Sequence, residues 1–79
     1  MQTFRVGDLL ALKESQMVTT FLQKFTGTMW VSAKQHLLVV KVYRRGKWEL
    51  FPRIEVLYDG RIIQIDSGDL QIKKVLRLS

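Results

Sequence analysis

The stretch "VLYDGRIIQID", residues 56–66, decides the fold. Asp59-Gly60 supplies residue types suited to the two positive-φ positions of a type I′ turn, whose twist matches that of adjacent antiparallel strands. A two-residue loop there sets Tyr58 opposite Arg61, Leu57 opposite Ile62, Val56 opposite Ile63, Glu55 opposite Gln64 and Ile54 opposite Ile65. From Leu57 onward, like meets like. One face then carries Ile54, Val56, Ile63 and Ile65, and it must be buried, because a two-stranded hairpin is marginal alone in water. More strands are required.

Upstream, "HLLVVKVYRRGKWELF" (36–51) reads as two strands around Arg44-Arg45-Gly46-Lys47, with Leu38, Val40 and Val42 facing one way and Lys41 and Tyr43 the other. A two-residue Arg45-Gly46 loop sets Tyr43 opposite Trp48; a longer loop is the alternative, since Arg is a poor choice for a positive-φ position. Pro52 cannot donate a ladder hydrogen bond, so it marks an edge, a bulge or a bend before a strand at 53–58. Downstream, "DSGDL" (66–70) is a compact polar turn, and "LQIKKVLRL" (70–78) returns to apolar alternation as a final strand. Its Lys73-Lys74 pair suits a solvated face or edge protection.

At the other end, "FRVGDLLALKE" (4–14) has Gly7-Asp8 as a turn signal and then alternates Leu10 and Leu12 with Ala11 and Lys13, the pattern of a first strand. The segment "SQMVTTFLQKFTG" (15–27) is ambiguous. Met17, Val18, Phe21, Leu22 and Phe25 fit one helical face, Ser15 suits an N-cap and Gly27 a C-terminal stop. Val18, Thr19 and Thr20 are β-branched and favour extended structure. A short helix or a structured loop is expected, followed by a short strand in "TMWVSA" (28–33) and a turn at Lys34-Gln35.

Seventy-nine residues make one domain, 1–79, with a core near the lower end of what sustains an independent fold. The absence of cysteine excludes disulfides, Cys-based zinc sites and a cysteine nucleophile, and is consistent with a reducing cytoplasm. Nothing implies secretion or membrane insertion: the opening lacks a basic n-region with a long apolar run, and no run of about 18 apolar residues occurs. The formal net charge is +6. It is concentrated in residues 37–79, which carry nine Lys/Arg against five acids, so anionic partners are in view beside a merely basic soluble surface.

Many short strands with turn punctuation favour a small all-β barrel of about five strands with an elaborated first loop. The segments "VGDLLALK", "LLVVKVY", "IEVLYDGRIIQI" and "SGDLQIKKV" together resemble SH3-like β-barrels. More narrowly, they resemble the small uncharacterised SH3-like proteins of tailed bacteriophages and related mobile elements, in which a "GD-apolar-apolar" opening strand, a "VL-DG" hairpin and a final "L-x-x-I" strand recur. The resemblance covers both ends well and residues 14–36 hardly at all. Such barrels serve as nucleic-acid modules or as protein-binding modules, so the resemblance implies a fold and leaves function to the surface.

Catalytic constellations are sparse. "IQID" (63–66) is similar to the "VQIY" strand segment of type II dihydrofolate reductases, but an Asp stands at the aromatic hydroxyl position, and Ile63 and Ile65 already have a place in the core. Asp8, Asp59 and Asp69 sit at turns, where a side chain bonding nearby backbone is the usual role. Glu49, Glu55 and Asp66 have no neighbouring base or nucleophile that sequence can place. His36, the sole histidine, cannot complete a metal site by itself. There is no nucleophile elbow and no glycine-rich phosphate loop. A non-enzymatic chain with neither metal nor cofactor is expected.

A binding surface remains. Lys41, Tyr43, Arg44, Arg45, Lys47, Trp48, Arg53, Tyr58 and Arg61 interleave aromatic and basic residues, as a groove that stacks bases and neutralises phosphates requires. The same residue types anchor protein interfaces, and Trp30 and Trp48 equally suit capping of the barrel. Two expectations follow. A nucleic-acid module places Arg44, Arg45 and Lys47 on one face with an exposed aromatic. A protein-interaction module, binding a host or phage protein in the host cytoplasm or the virion, or a second copy through an open barrel edge, exposes Met17, Phe21, Leu22 and Phe25 instead.

Overall fold

The computed structural model describes residues 4–21, 25–70 and 75–78. Asp59 (φ 51°) and Gly60 (φ 77°) both occupy the left-handed region, so the turn forms as its chemistry dictates. It joins β5 (Arg53–Tyr58) to β6 (Arg61–Asp66) with Tyr58 opposite Arg61, Val56 opposite Ile63 and Ile54 opposite Ile65. Ile54, Val56 and Ile65 are fully buried, and Ile63 packs against them from the rim. Burying each such side chain is worth about 1.5–3 kcal/mol, which is why this parity holds and a one-residue slip does not occur.

The other strands are β1 (Leu9–Leu12), β2 (Gln16–Phe21), β3 (Thr26–Val31), β4 (His36–Val42) and β7 (Val75–Arg77). All pairs are antiparallel, and the sheet runs β3-β2-β6-β5-β4-β1-β7. It is mainly β, as expected, but among the described residues it has seven strands rather than about five, and its two ends do not pair with each other.

Of the strands near the N-terminal end, β2 arises from the ambiguous segment 15–27, and β3 overlaps the short strand expected at 28–33. β2 and β3 pair antiparallel, with Gln16 opposite Val31 and Phe21 opposite Thr26, where a short helix was one expectation for 15–27. Period two wins because it buries a better set: Val18, Thr20 and Val31 face the core, whereas Met17 and Phe25, which a helical face would have gathered with Val18, lie exposed. Leu22 lies outside the described residues.

In β4 the buried residues are Leu37 and Val39, not the Leu38 and Val40 of the expected alternation. An irregularity between Val39 and Lys41 shifts the register by one, and past it Val42 opposes Ile54 and reaches the core. A second strand expected in 36–51 is absent. The Tyr43 N–H donates to the Arg53 carbonyl at 3.0 Å, so Tyr43 continues the β4–β5 ladder by one step and does not face Trp48. Residues 43–52 form a loop with a turn in which Glu49 N–H donates to the Gly46 carbonyl at 3.2 Å.

After β6 the "DSGDL" turn winds into one 3₁₀ turn, Ser67–Asp69, with the Asp66 carboxylate accepting from Gly68 N–H at 2.9 Å. This turn ties three elements. Ser67 Oγ donates to the Pro52 carbonyl at 2.6 Å, the Asp69 carboxylate accepts from Thr19 N–H at 2.5 Å, and Gln16 Nε2 donates to the Asp69 carbonyl. The start of β5 and the whole β2–β3 hairpin are thereby fixed to the same short segment.

Candidate nucleic-acid interface

Seven of the nine basic and aromatic candidates lie on the β4–β5 loop or on the strand ends that flank it. Lys41 leaves the end of β4 and holds its ammonium 4.6 Å from the Tyr43 ring centroid, while the Tyr43 hydroxyl donates to the Glu55 carboxylate. Arg44, Arg45 and Lys47 are exposed. Trp48 is 90% exposed, with the Lys47 ammonium 5.3 Å from its ring, so it caps no barrel. Trp30, at 58%, caps none either.

Arg53 is the joint between this loop and the β2–β3 hairpin. Its guanidinium lies 3.9 Å over the Phe21 ring, and its Nε donates to Glu49 Oε2 at 2.8 Å. The other carboxylate oxygen, Oε1, accepts from Gly46 N–H at 2.8 Å. Hydrogen bonding from the Gly46 N–H, then from Arg53, holds the Glu49 carboxyl below the usual carboxylate range, against a smaller opposing effect of desolvation. A Cβ at position 46 would lie 2.6 Å from Oε1, so any larger residue there requires the Glu49 carboxylate to shift. Residues 41–53 thus set Lys41, Arg44, Arg45, Lys47 and Arg53 against the single carboxylate of Glu49.

Tyr58 and Arg61 do not belong to this cluster. They sit at the far end of β5, about 17 Å from Arg53 at roughly 3.4 Å per residue. Tyr58 is also buried, its hydroxyl accepting from Ser32 N–H at 3.2 Å, which removes it from any stacking surface. Arg61 is exposed at the hairpin tip.

Of the apolar candidates, Phe21 lies half-buried beneath Arg53, and Phe25 and Met17 are 66% and 52% exposed. Met17 stands directly opposite Trp30, an exposed cross-strand pair that follows once 16–31 is read as a hairpin. Leu50, 72% exposed beside Glu49, carried no pattern in the sequence that would single it out. The turn carboxylates of Asp8, Asp66 and Asp69 all accept backbone N–H groups. Among the described residues no group of three His, Asp or Glu could hold a metal ion, and no helix is long and apolar enough to cross a membrane.

No family model matches this chain, and neither a curated protein nor a solved structure shows significant similarity to it.

Proposed function

We propose that the chain is an SH3-like barrel, of the kind its sequence resembles in tailed phages and mobile elements, that binds nucleic acid without catalysing a reaction and contacts it through the β4–β5 loop. The SH3-like reading is supported by the strand order β7-β1-β4-β5-β6, by the hairpin inserted after β1, and by the 3₁₀ turn before the last strand. The observation that carries the function is Trp48, 90% exposed in a loop that also presents Arg44, Arg45 and Lys47. An indole so placed contributes little to the fold, and base stacking on an aromatic is worth about 1–3 kcal/mol, with the neighbouring cations neutralising phosphates. Stacking needs an unpaired base, so single strands are the preferred form.

The test is fluorescence anisotropy with labelled single-stranded DNA, duplex DNA and RNA at low and near-physiological salt. Submicromolar binding that prefers one polymer and weakens when Arg44, Arg45 and Lys47 are all replaced by Ala supports the reading. Binding that is indifferent to polymer and vanishes at physiological salt overturns it.

A second reading has its own observation. The Met17–Trp30 pair and Phe25 expose apolar and aromatic surface on the β2–β3 hairpin, which suits a protein partner from the host or phage, or a second copy.

A further inference from the structure

The two hydrogen bonds that converge on Glu49 describe an anion site already filled. A backbone N–H, from Gly46, and a guanidinium N–H, from Arg53, each donate at 2.8 Å to a different oxygen of one carboxylate. Arg44, Arg45 and Lys47 flank the same amide within two residues. A main-chain donor, a planar guanidinium and surrounding cations are the elements from which phosphate sites are built. Position 46 bears no side chain, so the oxygen can come up against the backbone.

The occupant is weakly held. The Arg53 and Glu49 side chains remain 43% and 30% accessible, and ion pairs of that exposure contribute little. Arg53 does not depend on Glu49 for its position, because its guanidinium also rests on the Phe21 ring.

We infer that Gly46 N–H and Arg53 form a phosphate subsite, that the Glu49 carboxylate occupies it in the free protein, and that a nucleic-acid phosphate binds by displacing Glu49. This rests on the nucleic-acid reading of the loop and adds to it a built-in competitor. Glu49 moderates affinity: an anion with one charge blocks weak or isolated anions, while a polymer whose bases also stack on Trp48 displaces it. Glu49 then swings out without breaking the sheet, since it belongs to no strand.

The test uses the full chain and a fluorescein-labelled oligothymidylate. E49Q is expected to bind roughly three- to tenfold more tightly than the wild type, whereas D59N, with the same change in net charge at the distant hairpin tip, gains less than about twofold. Asn tolerates the left-handed conformation at position 59. The Gly46 amide resonance is the second readout. In E49Q it is expected to move upfield when the carboxylate is lost and to return downfield on titration with oligothymidylate, as a phosphate oxygen replaces it. An equal gain in D59N, weaker binding by E49Q, or a Gly46 resonance in E49Q that ignores the ligand overturns the subsite. In those cases loss of binding in the R44A/R45A/K47A variant still upholds the nucleic-acid reading. If wild type and E49Q both bind no better than that variant, the subsite and the reading fall together.

Discussion

Tyr58 and Ser32 are joined across the fold: the phenol oxygen at the end of β5 accepts the Ser32 N–H at 3.2 Å, just beyond β3. The bond anchors the outgoing end of the β2–β3 hairpin, whose incoming end is held by Gln16 and Thr19 on Asp69. Removing the hydroxyl leaves a backbone donor without its acceptor. Tyr58→Phe is expected to lower the unfolding free energy by about 0.5–1.5 kcal/mol in urea titrations and to speed exchange of the Ser32 amide. Unchanged exchange at Ser32 would show that the bond does not hold that end of the hairpin.

Adjacent residues of β5 provide a test of register. Val56 is fully buried and Leu57 is 39% exposed, so Val56→Asp strands a charge in the core, and Leu57→Asp does not. The first is expected to lower stability by about 3 kcal/mol or more and the second by no more than about 1 kcal/mol. Thermal unfolding of the two variants side by side checks the assignment, and equal effects contradict it.

Gly68 lies under the Phe51 ring, where an added Cβ would come within 2.5 Å of Cδ2. Gly68→Ala must therefore displace an aromatic or shift the 3₁₀ turn, at a cost of roughly 1–3 kcal/mol. Pairing it with Phe51→Leu, which vacates that volume, is expected to give less loss than the sum of the two single changes. Additive losses in chemical denaturation contradict the contact.

Acid stability bears on Glu49. Its carboxyl titrates below the usual range in the folded chain, so the folded state binds fewer protons there than the unfolded one. The resulting stabilisation is fully present above the unfolded pKa and is lost as pH falls through the lower folded value. Melting temperatures measured from neutral pH down through the carboxylate range are expected to fall more for wild type than for Glu49→Gln. Because the group is exposed, the difference is small. A parallel decline of the two proteins contradicts the assignment.

Trp48 separates binding from folding. With 90% of its surface already in water, Trp48→Ala is expected to change stability by no more than about 0.5 kcal/mol while weakening oligothymidylate binding by roughly tenfold or more. Loss of stability without loss of binding would assign the indole to the fold instead.

The legible part of the sequence was that in which local chemistry and burial agree. Asp59-Gly60 fixes the turn, and every pair of the hairpin behind it follows. The same parity also held the fate of Tyr58, which shares a face with Ile54 and Val56; its position beside a turn made it look like surface. Where two periods are equally satisfied, sequence does not arbitrate. Met17, Val18, Phe21 and Phe25 suit a helical stripe, and only the far side of the molecule, Ile65 opposite Thr20 and Asp69 beneath Thr19, selects a strand. The irregularity at Val40 inverts the apparent alternation of β4 with no Gly or Pro to announce it. Of the candidate site, the basic and aromatic residues were visible in the loop. Glu49 as their common acceptor was not, because the bonds that make it one depend on how Gly46 and Arg53 are brought together.

The placement of β1 between β4 and β7 bears on the order of folding. β4, β5 and β6 follow one another along the chain and can zip outward from the two-residue Asp59-Gly60 turn, with only the 43–52 loop to close, whereas Leu10 must find Arg77 more than sixty residues away. Closing so long a loop costs conformational entropy that no local contact repays in advance. The meander is therefore expected to be structured in the rate-limiting transition state and the β1–β7 ladder to form after it. Substitutions in the hairpin should slow refolding, and those that weaken the β1–β7 ladder should mainly hasten unfolding. The last strand to arrive is then the first to leave, so the time this protein stays folded is set at the seam between β1 and β7.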